Sequence, residues 1–274
     1  MSQGTKKTYF CHMLTSISSL QNPLIKQILV LQEKSRARKK EQAFIIEGLR
    51  EIQLAIQGNI VIDKVLYCPS LCSLSDLQDL LGDRSFVEVN DAVYKKIAYR
   101  SSTEGVIAFA KAKKNVLSDL KLPKNPLILI AEAPEKPGNI GALLRTADAV
   151  GVDAFILANP KTDLYNPNII RSSVGCVFTN QVATATTEEV IDFLQEKEVA
   201  IYSAILQEAV AYDTQDYTSA SAIVVGTEAT GLSNEWREAS TQNISIPMQG
   251  VIDSMNVSVA AGILVFEARR QRGF

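Results

Sequence analysis

Four apolar runs in the second half of the chain, Leu127–Ala131, Ala154–Leu157, Val199–Ala204 and Ala222–Val225, constrain the fold more than any other feature. They lack the polar alternation of a strand with one wet face, so each predicts a strand covered on both sides. Helical or glycine-bearing segments separate them, which predicts a mostly parallel sheet between helices, an α/β class. None of the runs approaches the roughly 20 apolar residues that a membrane helix requires. The start, MSQGTKKTYFCHM, lacks the apolar stretch of a secretory signal. The cysteines, Cys11, Cys68, Cys72 and Cys176, are few and scattered, as suits reduced thiols. A protein of the cytoplasm, or soluble within an organelle, is expected, with no membrane partner.

The first half has a different texture. After a polar tail, residues 1–14, an apolar-periodic stretch from Asn22 to Gln32 with Pro23 at its start predicts a helix. Short runs then alternate between strand and helix patterns: Ala43–Ile46, Leu49 to Ile56, Val61–Tyr67, Leu74–Leu81, Phe86–Val89 and Val106–Ala110. This predicts a small α/β domain over 15–112. Residues 113–125, which end in Leu-Pro-Lys-Asn-Pro, read as an exposed connector, and 126–274 as a second domain.

Charge divides the same way. Residues 1–125 carry 19 Lys and Arg against 12 Asp and Glu, a net +7, whereas 126–274 carry 9 against 18, a net -9. The basic excess is densest at Lys34-Ser35-Arg36-Ala37-Arg38-Lys39-Lys40, with further groups at Lys95, Lys96 and Arg100 and at Lys111, Lys113 and Lys114. Each run alone reads as a solvated helix end or a charged connector. The asymmetry between halves points to phosphate binding by the front domain.

Ligands of parallel sheets bind at the carboxyl ends of strands. The loop after Leu127–Ala131 holds Gly138, Asn139 and Gly141 before a helix that carries Arg145 and ends near Gly151. Asn139 is a competent N-cap, and Arg145 follows it within two helical turns, so both could look toward one cavity. Spacing alone favours the plainer reading, a cap plus a surface arginine. The loop after Ala222–Val225 sets Glu228 between Gly226 and Gly231, with Ser233 as the cap of a helix through Trp236. The third segment closes a strand at Ile246 and Pro247, turns at Gly250, and opens a helix with Ser254, Asn256 and Ser258 ahead of Ala260, Ala261 and Gly262. Small residues there permit close packing, and capping alone does not explain three polar residues where an apolar interface begins.

Taken together, PGNIGALLRTADAVG, VVGTEATGLS and ISIPMQGVIDSMNVSVAAGILVFEARRQR resemble, in order, the three signature motifs of SpoU-type (TrmH-like, SPOUT class) RNA 2'-O-ribose methyltransferases. The resemblance covers essentially all of 126–274. NPLIKQILVLQEKSRARKKEQAFIIEG is similar, more loosely, to the ribosomal-protein-like substrate-binding domain that often precedes this catalytic domain. The resemblance implies a trefoil-knotted parallel-sheet domain, which the general scarcity of knots would otherwise exclude. It implies S-adenosylmethionine held against loop backbone at Gly226, Thr227 and Glu228, at Ile246, Pro247, Met248 and Gly250, and at Ser254, Met255 and Asn256. It also implies a homodimer with active sites near its interface, and ribosomal RNA as substrate ahead of tRNA.

Arg145 matches the position that the family uses to activate the ribose hydroxyl. A guanidinium is not deprotonated in proteins, so its expected role is electrostatic stabilisation of the oxygen, with a substrate phosphate sharing the proton. Asn139 would orient the hydroxyl or bind substrate, Glu228 would hold the second loop, and Asn256 and Ser258 would complete the catalytic set. Met255 stands where the family usually has Leu, a volume-conserving change.

Other chemistries lack their residues. There is no G-x-G-x-x-G, no phosphate-binding G-x-x-x-x-G-K-[ST] and no Cys/His set of zinc spacing, so no metal is expected. The only histidine, His12, lies in the polar tail, which argues against His-based acid/base or hydrolytic triads. A non-catalytic RNA-binding dimer, such as a ribosome assembly factor, would be expected to have lost Asn139, Arg145, Glu228 or Asn256, and all four are present. A dinucleotide-dependent enzyme would need a glycine fingerprint that Pro-Gly-Asn-Ile-Gly does not supply.

Overall fold

A computed structural model describes residues 15–99, 104–227, 230–251 and 254–274. His12, Cys11, Arg100 and Glu228 lie outside the described residues.

The first sheet contains β1 (Thr15–Ile17), β2 (Ala43–Glu47), β3 (Ile62–Tyr67), β4 (Phe86–Val89) and β5 (Val106–Lys111), in the order β1-β4-β3-β5-β2. β1, β4 and β3 run parallel, and β5 lies antiparallel to both β3 and β2. Its helices are α1 (Pro23–Glu33), α2 (Ser35–Glu41), α3 (Leu49–Gln57), α4 (Leu74–Leu81) and α5 (Asp91–Ile97). α1 begins as expected, with Asn22 Oδ1 accepting from Leu24 N at 2.9 Å and Pro23 in the first turn. α1 and α5 cover one face through Ile25, Ile28, Leu31, Val93 and Ile97. α3 and α4 cover the other through Ile52, Ala55, Leu77 and Leu81.

The second sheet contains β6 (Leu127–Glu132), β7 (Ala154–Ala158), β8 (Val182–Ala185), β9 (Ala200–Ala204), β10 (Val210–Ala211), β11 (Ser221–Val225) and β12 (Gln242–Ser245). All neighbouring pairs are parallel, in the order β10-β12-β9-β11-β6-β7-β8. The four apolar runs are its four central strands, which is why they need no polar face. α6 (Pro137–Val150), α7 (Pro167–Ser172), α8 (Cys176–Thr179) and α11 (Val257–Arg272) pack on one face, and α9 (Thr187–Glu196) and α10 (Asn234–Ala239) on the other. Chain direction across the sheet reverses beside β6, the kind of switch point where open parallel sheets bind ligands.

Two expectations are corrected. The segment 113–125 is exposed over most of its length, as a connector should be, but it is fastened to the second sheet. Asn115 O accepts from Thr184 N at 2.7 Å, Lys121 N donates to Gln181 Oε1 at 2.8 Å, and Leu117, Leu120 and Leu122 pack against the second sheet. The halves also share one core, which runs from Phe44, Ile46 and Ile52 to Ile169, Phe178 and Leu129. At the junction Phe44 stacks on Tyr165 with centroids 4.1 Å apart.

The second correction concerns the basic run. Lys34–Lys40 caps and forms α2, and Arg38 is only 4% exposed. Its Nε and Nη2 donate to Asp163 Oδ1 and Oδ2 at 2.8 and 2.7 Å, a bidentate pair between the halves. Burial would raise the Asp163 carboxyl, but hydrogen bonds and charge from Arg38, with a hydrogen bond from Ser35, outweigh it and hold the group below the ordinary carboxylate range. Arg38 is a structural weld and no phosphate contact. Among the described residues no helix is long and apolar enough to cross a membrane, and no His/Cys/Asp/Glu group could hold a metal ion.

Candidate active site

The carboxyl ends of β9, β11 and β12 open into a cavity of about 750 Å³. Ala204, Val225, Ile244 and Ser245 form its floor, and α11 closes one side with Val257, Ala260 and Leu264. The remaining wall is loop: Gly226, Thr227, Thr230, Gly231 and Leu232 from one segment, Ile246, Met248, Ser254, Met255 and Asn256 from another, and Ile205, Leu206 and Gln207 after β9. None of these lining residues is charged.

The first loop is a tight turn. Thr227 and Gly231 exchange backbone hydrogen bonds of 3.1 Å, and Thr227 Oγ1 accepts from Thr230 N at 3.0 Å. Gly231 has φ +68°, a left-handed conformation that glycine adopts without penalty. A Cβ on Gly226 would lie 2.3 Å from Gly231 C, so the turn closes only because that position is glycine.

A group that the sequence reading did not single out holds this turn from behind. Glu132, at the end of β6, is 5% exposed. Its carboxylate accepts from Ser233 N at 2.7 Å, Ser233 Oγ at 2.7 Å and Thr187 Oγ1 at 2.9 Å. Ser233 does stand at the N-cap of α10, as expected, but its hydroxyl serves Glu132 and makes no capping hydrogen bond. A lone carboxylate closing a fully apolar strand was the available signal.

At the second wall Asn256 caps α11 as the polar cluster suggested. Its Oδ1 accepts from Ser258 N at 3.0 Å and from Ser258 Oγ at 2.6 Å. Its Nδ2 donates to Asn139 Oδ1 at 3.3 Å, which brings the first and third motifs together at the edge of the cavity. Asn139 is not the cap of α6, because the helix already starts at Pro137 with Lys136 as N-cap, and Asn139 sits inside the first turn. Gly151 ends α6 at φ +67°, close to where the sequence put the stop.

The expectation that Asn139 and Arg145 look toward one cavity is overturned. Thr146, on the stripe of α6 that carries Asn139, lies beside Gly262 of α11, and Val150 O accepts from Arg269 Nε at 2.8 Å. Arg145 lies roughly 120° around the helix from that stripe at 3.6 residues per turn. It is exposed, does not line the cavity, and belongs to the flank toward α7 and α8. There burial pushes the Cys176 thiol up, Asp148 adds to the rise by charge and a hydrogen bond, and Arg50 and Arg145 oppose it.

Of the residues expected at the cofactor, Gly226, Thr227, Ile246, Met248, Ser254, Met255 and Asn256 line the cavity. Pro247 and Gly250 do not, and a Cβ on Gly250 would meet nothing within 4 Å. Asn139 and Ser258 join through Asn256, Arg145 stands apart, and Glu228 is outside the described residues. The assembled part offers a partly apolar slot with no charge among its described lining residues, which suits a flat amphipathic ligand.

Comparison with known proteins agrees with this geometry. Residues 126–266 match the SpoU rRNA Methylase family, and residues 22–108 match the MRM3-like substrate binding domain. The chain is 28% identical over 256 residues to the 23S rRNA (guanosine(2553)-2'-O)-methyltransferase RlmP of Bacillus subtilis, covering 93% of this chain and 100% of that one. Among solved structures, an RNA 2'-O ribose methyltransferase is 37% identical with a TM-score of 0.81, covering 94% of this chain and 99% of that one. An AdoMet-bound rRNA methyltransferase from Sinorhizobium meliloti is 28% identical with a TM-score of 0.86, covering 94% and 98%. With more than half of its length, including every wall of the cavity, inside the first match, this chain belongs to the SpoU rRNA methylase family.

Proposed function

We propose that the protein is an RNA 2'-O-ribose methyltransferase that uses S-adenosylmethionine and acts on ribosomal RNA. One observation carries the reading: a cavity of about 750 Å³ with no charge among its described lining residues, within the usual range for small-ligand sites, whose glycine-dependent wall and asparagine-capped helix belong to the matched family region. The rRNA-acting relatives named above favour ribosomal RNA over tRNA. Residues 15–112 then contribute to RNA binding, 113–125 links the halves while fastened to the second sheet, and 126–274 forms the catalytic unit with the family's trefoil knot. The protein works in the cytoplasm or the soluble phase of an organelle, where that RNA resides.

The donor set fits the cofactor. Backbone of Gly226, Thr227 and Met248 would take the polar edges of adenosine, Ile246, Met255 and Leu264 would flank its plane, and the absence of lining Lys or Arg spares the sulfonium a repelling charge. Bound there, S-adenosylmethionine supplies an electrophilic methyl group. Asn256 and Asn139 orient the ribose at the cavity edge, and Ser258 locks the Asn256 amide. Glu228 steadies the second loop. Arg145 would stabilise the negative charge that the 2'-oxygen gains as its proton passes to a substrate phosphate, and that charge would be consumed as the oxygen takes the methyl group and the methyl–sulfur bond breaks, leaving a neutral thioether.

Since Arg145 faces away from its own cavity, the site is complete only if a second copy supplies the arginine. The working form is therefore a homodimer about a two-fold axis, with α11 beside the contact. Calorimetric titration tests the cofactor assignment. Native protein should bind S-adenosylmethionine, and Gly226→Val, which forces the Gly231 backbone aside, should not while keeping its circular dichroism spectrum. No binding by native protein, with or without 23S rRNA transcript, would sink the assignment.

A further inference from the structure

Three arginines stand exposed where α3 of the first sheet meets the helices of the second: Arg50 in the first turn of α3, Arg145 on α6 and Arg171 in α7. Among the described residues none of their side chains makes a hydrogen bond or ion pair. Close packing keeps their helices together. A Cβ on Gly175, which caps α8, would lie 2.8 Å from Leu54 Cδ1 and 3.4 Å from Glu51 Cα of α3. One on Gly141 of α6 would lie 1.9 Å from Ser172 Oγ of α7. That packing sets Arg50 and Arg145 on the same flank, each within electrostatic reach of Cys176 at the start of α8.

The third arginine shares a small cleft with Tyr99. The Tyr99 ring is 45% exposed, and its hydroxyl lies 3.1 Å from Asn168 Oδ1 of α7, which pins the ring across the seam. Four carboxylates stand close by, one of them Glu51, buried on α3 beside Arg50. Glu47 accepts from Tyr99 N at 2.8 Å and Glu104 from Leu49 N at 2.6 Å, while Asp148 sits beside Cys176. None of them pairs with the arginines among the described residues.

Converging cations without partners repel one another, and a polyanion relieves that repulsion. An exposed, tethered aromatic ring beside them adds a platform for an unstacked base, the combination that single-stranded RNA engages. We propose that this seam, and not the Lys34–Lys40 run, is the RNA-binding surface: Arg50, Arg145 and Arg171 contact phosphates, and Tyr99 stacks on an unpaired base. Both sheets contribute, so binding requires the whole chain. The inference rests on RNA being the substrate, and it ties the docking surface to the arginine that acts on the hydroxyl.

Binding of labelled 23S rRNA transcript to the full-length protein, measured by filter retention across a salt series, tests it. Arg50→Glu and Arg171→Glu should each weaken binding at least tenfold and flatten the salt dependence, by a slope of about one per lost phosphate contact. Tyr99→Ala should weaken it about tenfold with the slope unchanged, since stacking carries no charge. Arg50→Lys and Arg171→Lys should recover most of the affinity. Affinities within twofold of native for both reversals overturn the proposal, as does an equal loss from Lys197→Glu after α9, on the opposite face of the second sheet. S-adenosylmethionine titration of the same proteins separates the two readings. Native protein that binds the transcript but not the cofactor refutes the methyltransferase, while the reversals still decide the seam.

Discussion

At the scale of single residues, the cavity depends on a carboxylate that never touches it. Glu132 accepts three hydrogen bonds, two from Ser233 at the end of the cofactor turn and one from Thr187 of α9. Removing it strands three donors in a buried place, which costs about 2–4 kcal/mol in all. Glu132→Ala should therefore lower the urea midpoint clearly. Glu132→Gln is the sharper variant, because an amide keeps the shape but turns one acceptor into a donor facing Ser233 or Thr187. It should fold, melt a few degrees lower, and bind S-adenosylmethionine at least tenfold more weakly. Affinity equal to native in a folded Glu132→Gln would mean that the turn holds without the carboxylate.

At the scale of elements, α2 is the instructive case. SRARKKE has no apolar stripe, so periodicity could not reveal a helix, and its charge suggested a solvated patch. Its place is secured by Arg38, whose Nη1 also donates to Leu31 O and, at 3.1 Å, to Gln32 O. Arg38→Ala leaves Asp163 half-buried without its charged partner and should cost about 2–3 kcal/mol, whereas Arg36→Ala or Lys40→Ala should stay within about 0.5 kcal/mol, as measured by urea unfolding. The pair also sets a pH dependence. Asp163 is held below its unfolded value of about 3.9, so its stabilisation is complete above that pH and is lost as pH falls through the lower folded value. In native protein this adds to acid lability, and Asp163→Asn should flatten the fall in stability below about pH 4.

What was legible follows the same physics. Fully apolar strands, the apolar period that opens at Pro23 and the glycine stop at Gly151 are local signals, and the central strands, α1 and the end of α6 were read from them. β1 is only three residues long, and α2 is held by a partner 125 residues away, so no local window contains either cause. α5 was missed although Asn90 Oδ1, accepting from Val93 N at 2.9 Å, gave it an ordinary cap signal. In the site, glycine and asparagine positions were legible because their chemistry is local. The direction of Arg145 was not, since it depends on which flank of α6 packs against α11.

At the scale of the whole molecule, that direction makes a quantitative prediction about assembly. If each cavity borrows Arg145 from a second copy, an Arg145→Ala chain keeps a sound cavity, and a Gly226→Val chain keeps a sound arginine. Either homodimer should be inactive. In a mixed dimer one cavity combines the intact pocket of the first chain with the intact arginine of the second, while the other cavity lacks both. Random pairing of equal amounts makes about half of the dimers mixed, each with one working site of two, so methylation of 23S rRNA transcript should return to about a quarter of the native rate. An arginine acting within its own chain gives no recovery, because every cavity in the mixture then lacks either its arginine or its wall. Tagging the two chains separately and purifying the doubly tagged species should raise the yield to about half per dimer, with one equivalent of S-adenosylmethionine bound. Failure of that species to form while each variant alone sediments as a monomer would remove the dimer itself and leave Arg145 unable to reach any cavity.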